Sequence, residues 1–365
     1  MRFVFASYIT INNYNDPVAW LERIKAYTGI LDELATNNEV VSIEQINYAS
    51  DITKNGVQYR FRQFNKWLGY LPFMQNRYIR KLNPDIVFIQ SLHFPLQVIL
   101  LRLALGRKPK IIIQNHAEKP FKGLKKHLLR LSERSVNAYL FASKTMGLDW
   151  IAEGNLTSPQ KIHEVMELSS YFYPIDKNKA KVKTGITTEN VFLWVGRLDE
   201  NKDPLTVIKA FLKFAAVNAM ARLYMIYHTE ELLPSIKELL TGSPNASTIK
   251  LIGKIPNEDM LYWYNSADFI ISGSHYEGSG TAVCEAMSCG CIPVVTDIPS
   301  FRMMTDNGNI GMLYEAGNEV ELLQTLIKTI ALDKVVEREK ALSYFRSNLS
   351  FEAIARQIQE ITASC

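Results

Sequence analysis

Glu277 and Glu285 are separated by seven residues in H-Y-E-G-S-G-T-A-V-C-E-A-M-S-C-G-C-I-P-V-V-T-D (275–297), and Gly278 and Gly280 follow closely behind the first of them. An apolar run over 268–273 leads into the glycines and a helix-compatible segment over 281–289 follows, which gives strand, glycine-rich turn, helix. Such a turn aims backbone N–H groups and the positive end of a helix dipole at whatever lies above it, and this suits a phosphate. Glu285, one to two turns further along the helix, is in reach of neutral hydroxyls beside that phosphate. A phosphate flanked by hydroxyls is the make-up of a nucleotide sugar.

A second candidate group lies in F-L-W-V-G-R-L-D-E-N-K-D-P (192–204), where Arg197 and Lys202 follow a strand that ends at Gly196. Arg offers a planar fork to phosphate oxygens and Lys a compact charge, a combination that neutralises a diphosphate. Their plainer alternative is an Arg197–Asp199 pair and a surface lysine; for Glu277 it is a carboxylate at a helix start. Two histidines, His93 and His116, each follow a β-rich run (85–91 and 110–115), and ligands collect at such strand ends in parallel sheets.

Positioning these groups takes alternating strands and helices. Strands are predicted over 3–9, 40–46, 57–61, 85–90, 110–114, 138–142 and 162–166, with helices over 16–35, 63–82, 96–105, 122–136 and 144–152. Continuous apolar runs such as D-I-V-F-I and K-I-I-I predict strands covered on both faces, hence a parallel sheet wound with helices. The Lys-, Asn- and Thr-rich stretch 177–189 lacks apolar periodicity and reads as a linker. A second βα series follows. Its strands are expected over 191–195, 223–227, 250–252, 292–296 and 311–314, its helices over 204–217, 231–240, 257–266, 319–332, 335–347 and 351–361. The expected domains are 1–185, 186–348 and a closing helix over 349–365 that crosses back to the first domain.

With 365 residues, 47% hydrophobic and 21% charged, the chain has the make-up of a folded protein with two cores. No stretch reaches the roughly 18–20 apolar residues of a membrane span, and the N-terminus lacks a signal-peptide pattern, so a cytoplasmic protein is expected. Cys284, Cys289 and Cys291 are spaced C-x4-C-x-C without the histidines or CxxC pairs of a zinc site, and reduced, buried thiols are expected. The net charge of +4 hides an asymmetry: residues 1–185 carry 26 Lys+Arg against 15 Asp+Glu, leaving 15 against 22 for the remainder. The excess centres on K-P-F-K-G-L-K-K-H-L-L-R (119–130), where cations alternate with Leu and Phe. That pattern suits peripheral contact with an anionic membrane as well as it suits a solvated helix face.

Residues 191–320 resemble the retaining glycosyltransferases of family 4, which have the GT-B fold. The resemblance rests on V-G-R-L with Lys202, and on E-G-S-G-T-A-V-C-E-A-M-S-C-G-C-I-P-V-V with its E-x7-E spacing. It implies an α/β protein of two doubly wound, Rossmann-like domains facing each other across a cleft. It implies that Arg197 and Lys202 hold the leaving diphosphate, that backbone groups of Gly278, Ser279, Gly280 and Thr281 cap the phosphates, and that Glu285 binds the ribose. Glu277 contacts the donor sugar, and His116 reaches the sugar or its phosphate; these two are the implied catalytic residues. No D-x-D motif occurs, so neither metal nor cofactor is expected besides the nucleotide-sugar donor.

The resemblance is weaker in the first domain. S-Y-I-T-I-N-N-Y-N-D-P follows the first strand where the family has a glycine-rich loop, and V-M-E-L-S-S-Y-F (165–172) replaces an N-G-x-D turn, leaving Glu167 unassigned. The expectation is metal-independent hexosyl transfer with retention to a polysaccharide, cell-envelope or lipid-linked glycan acceptor, at the inner face of a membrane and without nucleic acid as partner. Two alternatives are a nucleotide-sugar epimerase of the same fold and a non-catalytic protein that binds nucleotide sugar or membrane.

Overall fold

The computed structural model describes residues 1–64 and 71–365. They form two compact units, 1–169 with 351–365, and 170–350. The chain therefore leaves the first unit at Ser169 rather than near residue 185.

In the first unit the elements are β1 (Arg2–Ala6), α1 (Pro17–Arg23), α2 (Lys25–Ala35), β2 (Glu39–Glu44), β3 (Ser50–Lys54), β4 (Val57–Phe61), α3 (Phe73–Lys81), β5 (Ile86–Gln90), α4 (Pro95–Leu105), β6 (Lys110–Gln114), α5 (Gly123–Ser132), β7 (Ala138–Phe141), α6 (Lys144–Ala152) and β8 (Ile162–Glu164). Their sheet runs β3-β4-β2-β1-β5-β6-β7-β8 and is parallel except for the edge strand β3. Both faces of the central strands are covered, so Phe3, Phe5 and Phe88 are buried, with Phe5 and Phe88 stacked at 4.7 Å. Each such ring removed from water contributes about 1.5–3 kcal/mol.

Three expectations are corrected here. The expected first strand, 3–9, ends at Ala6. A hairpin, β3–β4, stands where only its second strand was expected; Asn55 (φ 49°) and Gly56 (φ 82°) form its turn, the Asn-Gly pair that such turns favour. Of the helix expected over 63–82, only Phe73–Lys81 is helical among the described residues, and 65–70 lie outside them.

The second unit contains α7 (Lys177–Thr184), β9 (Asn190–Gly196), α8 (Pro204–Val217), β10 (Ala221–Tyr227), α9 (Leu233–Thr241), β11 (Ile249–Gly253), α10 (Met260–Ser266), β12 (Phe269–Ser272), α11 (Thr281–Ser288), β13 (Ile292–Thr296), α12 (Pro299–Met304), β14 (Met312–Tyr314), α13 (Glu319–Lys328) and α14 (Lys334–Tyr344). Its parallel sheet has the order β11-β10-β9-β12-β13-β14, so the winding reverses between β9 and β12. A crevice opens at the carboxyl ends of strands at such a reversal. Phe192, Phe211, Phe214 and Phe269 pack the core beneath it.

The expected linker is helix α7. The Asp176 side chain accepts from Lys179 N at 2.8 Å at its start, and Gly185 closes it in the left-handed region (φ 70°). Ala180 is fully buried where α7 packs on α10. The last helix, α15 (Phe351–Ser364), belongs to the first unit. There it buries Ala353, Ile354 and Ile358 against α2, and Gly29 lets the Phe351 ring approach: a Cβ at Gly29 would lie 2.6 Å from it.

Candidate functional site

The ends of β9 and β12 bring the second unit's candidates together. After Gly196 the chain turns through Arg197 and Asp199; Asp199 pairs with Arg197 at 3.2 Å and accepts from Lys202 N at 3.0 Å. Asn201 stitches this loop to the next. Its carbonyl accepts from His275 N at 2.8 Å, and its side-chain amide donates to Tyr276 O at 3.0 Å. Gly273 permits the approach, because a Cβ there would sit 2.9 Å from Asp203 O and 3.1 Å from Lys202 O. Asp203 caps α8 by accepting from Thr206 N at 3.2 Å, and His275 lies 3.3 Å from its carboxylate.

The stitched loops set the Lys202 ammonium directly on the Glu277 carboxylate, with the two side chains 20% and 14% exposed. Gly278 and Ser279 lead into Gly280, which starts α11 in the left-handed region (φ 56°) with no side chain capping the helix. The first-turn N–H groups at Thr281 thus follow Glu277 on the same loop, an arrangement suited to an anion. A Cβ at Gly280 would lie 2.6 Å from the Phe301 ring. Glu285 stands one turn into α11, where it accepts from the Tyr264 hydroxyl at 2.7 Å. Burial, reinforced by the Glu285 charge, keeps that phenol protonated far above its ordinary range.

His116 lies in the first unit, on the loop after β6, and both its ring nitrogens are engaged. Nδ1 meets the Glu167 carboxylate, and Nε2 lies 2.6 Å from Gln90 Oε1. Gln90 in turn donates from its amide nitrogen to Tyr27 Oη at 2.8 Å, which orients its oxygen toward the imidazole. Facing two acceptors, the ring is favoured in its protonated form. Burial works against that charge, but the Glu167 hydrogen bond and the charges of Glu167 and Glu118 outweigh it and raise the His116 pKa. Glu118 also holds the loop, accepting from His116 N at 2.6 Å, Asn115 Nδ2 at 2.7 Å and Leu92 N at 3.1 Å. Glu167, unassigned from the sequence, is the counter-ion.

His93 does not join this group. It stacks on Phe121 at 5.0 Å and takes a hydrogen bond from Lys125, whose ammonium lies 4.0 Å from the same ring. Burial and the Lys125 charge lower its pKa.

His116 and Glu167 line a cavity of about 510 Å³ at the carboxyl ends of β1, β2 and β5. Trp20, Tyr27, Glu44 and Gln90 also line it, and none was singled out from the sequence. Glu44 and Gln90 are the last residues of β2 and β5, so the strand-end position that drew attention to His116 pointed to them as well.

Residues 176–347 match the family described as glycosyl transferases group 1. Among curated proteins, the chain is 25% identical over 278 residues, 73% of each chain, to N-acetylgalactosamine-N,N'-diacetylbacillosaminyl-diphospho-undecaprenol 4-alpha-N-acetylgalactosaminyltransferase of Campylobacter jejuni. It is 22% identical to GDP-mannose:cellobiosyl-diphosphopolyprenol alpha-mannosyltransferase of Xanthomonas oryzae, over 68% of this chain and 65% of that protein. Among solved structures, a glycosyltransferase from Rickettsia africae superposes with a TM-score of 0.73 at 15% identity, covering 100% of this chain and 97% of the other. Anabaena HepE in complex with UDP gives 0.71 at 13%, with both chains fully covered. The protein has the GT-B fold, and its residues 176–347 match the model of the glycosyl transferases group 1.

Proposed function

We propose that the protein transfers a hexose, with retention and without a metal, from a nucleoside-diphosphate sugar to a lipid-linked or polysaccharide acceptor. The observation that carries the reading is the meeting of Lys202 and Glu277 beside the uncapped start of α11, at the crevice where the second sheet reverses. Transfer breaks the bond between the anomeric carbon and the diphosphate oxygen, and the electron pair leaves with the diphosphate. Arg197, Lys202 and the α11 N–H groups stabilise that charge. Glu277 contacts the sugar as positive character grows on its anomeric carbon, and Glu285 holds the ribose. The acceptor hydroxyl forms the new bond on the face the diphosphate leaves, and its proton goes to the departing phosphate oxygen.

Two relatives whose names specify diphospho-undecaprenol and diphosphopolyprenol substrates support an acceptor of the same kind. Among the described residues no helix is long and apolar enough to cross a membrane, so we assign contact with the cytoplasmic face to α5. That helix exposes Leu124 (75%), Leu131 (55%) and Arg130, with the exposed cations Lys122 and Arg134 just before and after it.

Thermal unfolding with UDP, GDP and their sugars tests the donor assignment. One nucleotide is expected to raise the melting temperature, because a ligand of the folded state stabilises it. Lys202→Ala should weaken that shift and reduce transfer by about 10²–10³-fold. Absence of any nucleotide shift sinks the assignment, and sugar interconversion without acceptor identifies an epimerase instead.

A further inference from the structure

The first unit's cavity holds a carboxyl group that the reaction chemistry above leaves unused. Glu44 ends β2, with Oε1 accepting from Ser42 Oγ at 2.6 Å and Oε2 from Trp20 Nε1 at 2.9 Å. Both donors are neutral, and no Lys or Arg among the described residues pairs with Glu44. Burial drives its pKa up, and the Ser42 and Trp20 hydrogen bonds recover only part of the difference. A carboxyl held this way costs stability, which implies a use beyond packing.

Its surroundings suggest that use. Phe5, Ile24, Tyr27, Ile43 and Leu168 give the cavity apolar and aromatic walls, and its volume of about 510 Å³ falls within the range of small-molecule sites. Gln90 and Tyr27 add an amide and a phenol to its lining. Arg23 and His116, whose pKa is raised by Glu167, also line the space, so a cationic ammonium group is disfavoured there, whereas a neutral polyol carries no charge to be repelled. A sugar or cyclitol ring combines what is required: C–H faces for the aromatic walls, and adjacent hydroxyls that donate to the remaining lone pairs of a carboxylate.

We propose that Glu44 reads a pair of ring hydroxyls on the acceptor sugar, held in this cavity with Trp20 and Ser42 as positioning residues. The assignment to an acceptor rests on the transferase reading above; the sugar-binding claim does not.

Saturation-transfer NMR on the full chain tests it, using methyl α-glycosides of glucose, mannose, N-acetylglucosamine and N-acetylgalactosamine, together with myo-inositol. At least one ring is expected to bind, and Glu44→Gln should weaken it about tenfold or more, the loss of a charge-assisted hydrogen bond. Trp20→Phe retains the aromatic wall but removes one donor to Glu44, and should weaken binding less. Thermal unfolding of Glu44→Gln should show a midpoint equal to or above wild type, which separates lost recognition from lost folding. The proposal is overturned if none of the five compounds binds, if Glu44→Gln binds as tightly as wild type, or if that variant melts lower. A wild-type protein that responds to nucleotide but fails here loses only the Glu44 assignment; one that binds a ring but responds to no nucleotide keeps a sugar site and loses the transferase reading.

Discussion

His116 and Glu167 lie on loops after different strands, β6 and β8, yet their side chains meet. Because the pair raises the His116 pKa above its ordinary 6.5, its contribution to stability has a definite pH dependence. The contribution is complete below the unfolded-state value and is lost as pH rises through the folded one. Denaturant unfolding of wild type and Glu167→Gln should therefore differ most near pH 5.5–6 and converge toward alkaline pH. Imidazole NMR should show His116 titrating lower in the variant; a difference in stability independent of pH would disprove the pairing. Arg197, Lys202, Glu277 and Glu285 were legible in the sequence because each sits in a short contiguous motif whose turn geometry is local. The tie of His116 to Glu167 was not, since it depends on how far apart the sheet order places β6 and β8. Glu44 was missed for a similar reason: what marks it is the lack of a cationic partner, and partners are a property of the fold.

At the level of elements, apolar periodicity located the parallel strands and the long helices to within a few residues; β4, β6, β13, α6 and α8 match the expected bounds. The misreadings have identifiable causes. α7 was hidden by its composition, since it buries only Ala180 and so shows no apolar stripe, although Asp176 and Gly185 marked both its ends. β3 alternates weakly and lies at an edge, and only Asn55-Gly56 signalled its hairpin. α5 carries the membrane proposal, and its outer face makes that proposal specific. Each cation near an anionic lipid surface contributes about 1 kcal/mol. Reversing Arg130 and Arg134 to Glu should abolish co-sedimentation with vesicles containing phosphatidylserine, while leaving the nucleotide-induced thermal shift intact. Binding that persists in that variant assigns membrane contact elsewhere.

For the whole molecule, the second unit is an insertion between Ser169 and Phe351 of the first. Ser169 N donates to Ala26 O at 2.9 Å, and Lys110 Nζ donates to Thr362 O at 2.6 Å, so the first unit is fastened on both sides of the insertion. Removing residues 351–365 uncovers the face of α2 at Gly29, where Phe351 packs, and forfeits the burial of Ile354 and Ile358. At about 1.5–3 kcal/mol for each buried side chain, the loss amounts to several kcal/mol. Calorimetry should show the first unit melting earlier, with the nucleotide-responsive transition of residues 170–350 retained; a uniform loss of both transitions would contradict two separable cores.

The same insertion sets an order of events during synthesis. Domains fold as they leave the ribosome, generally from the N-terminal end. Here the half that is translated first must wait, with the α2 face uncovered, while the 181 residues from Ser170 to Ser350 are made and folded. The half to which we assign the donor can therefore be complete before its neighbour is, and a nascent chain passes through a stage in which that half is folded while the first unit, with the cavity that holds Glu44, still lacks its last helix.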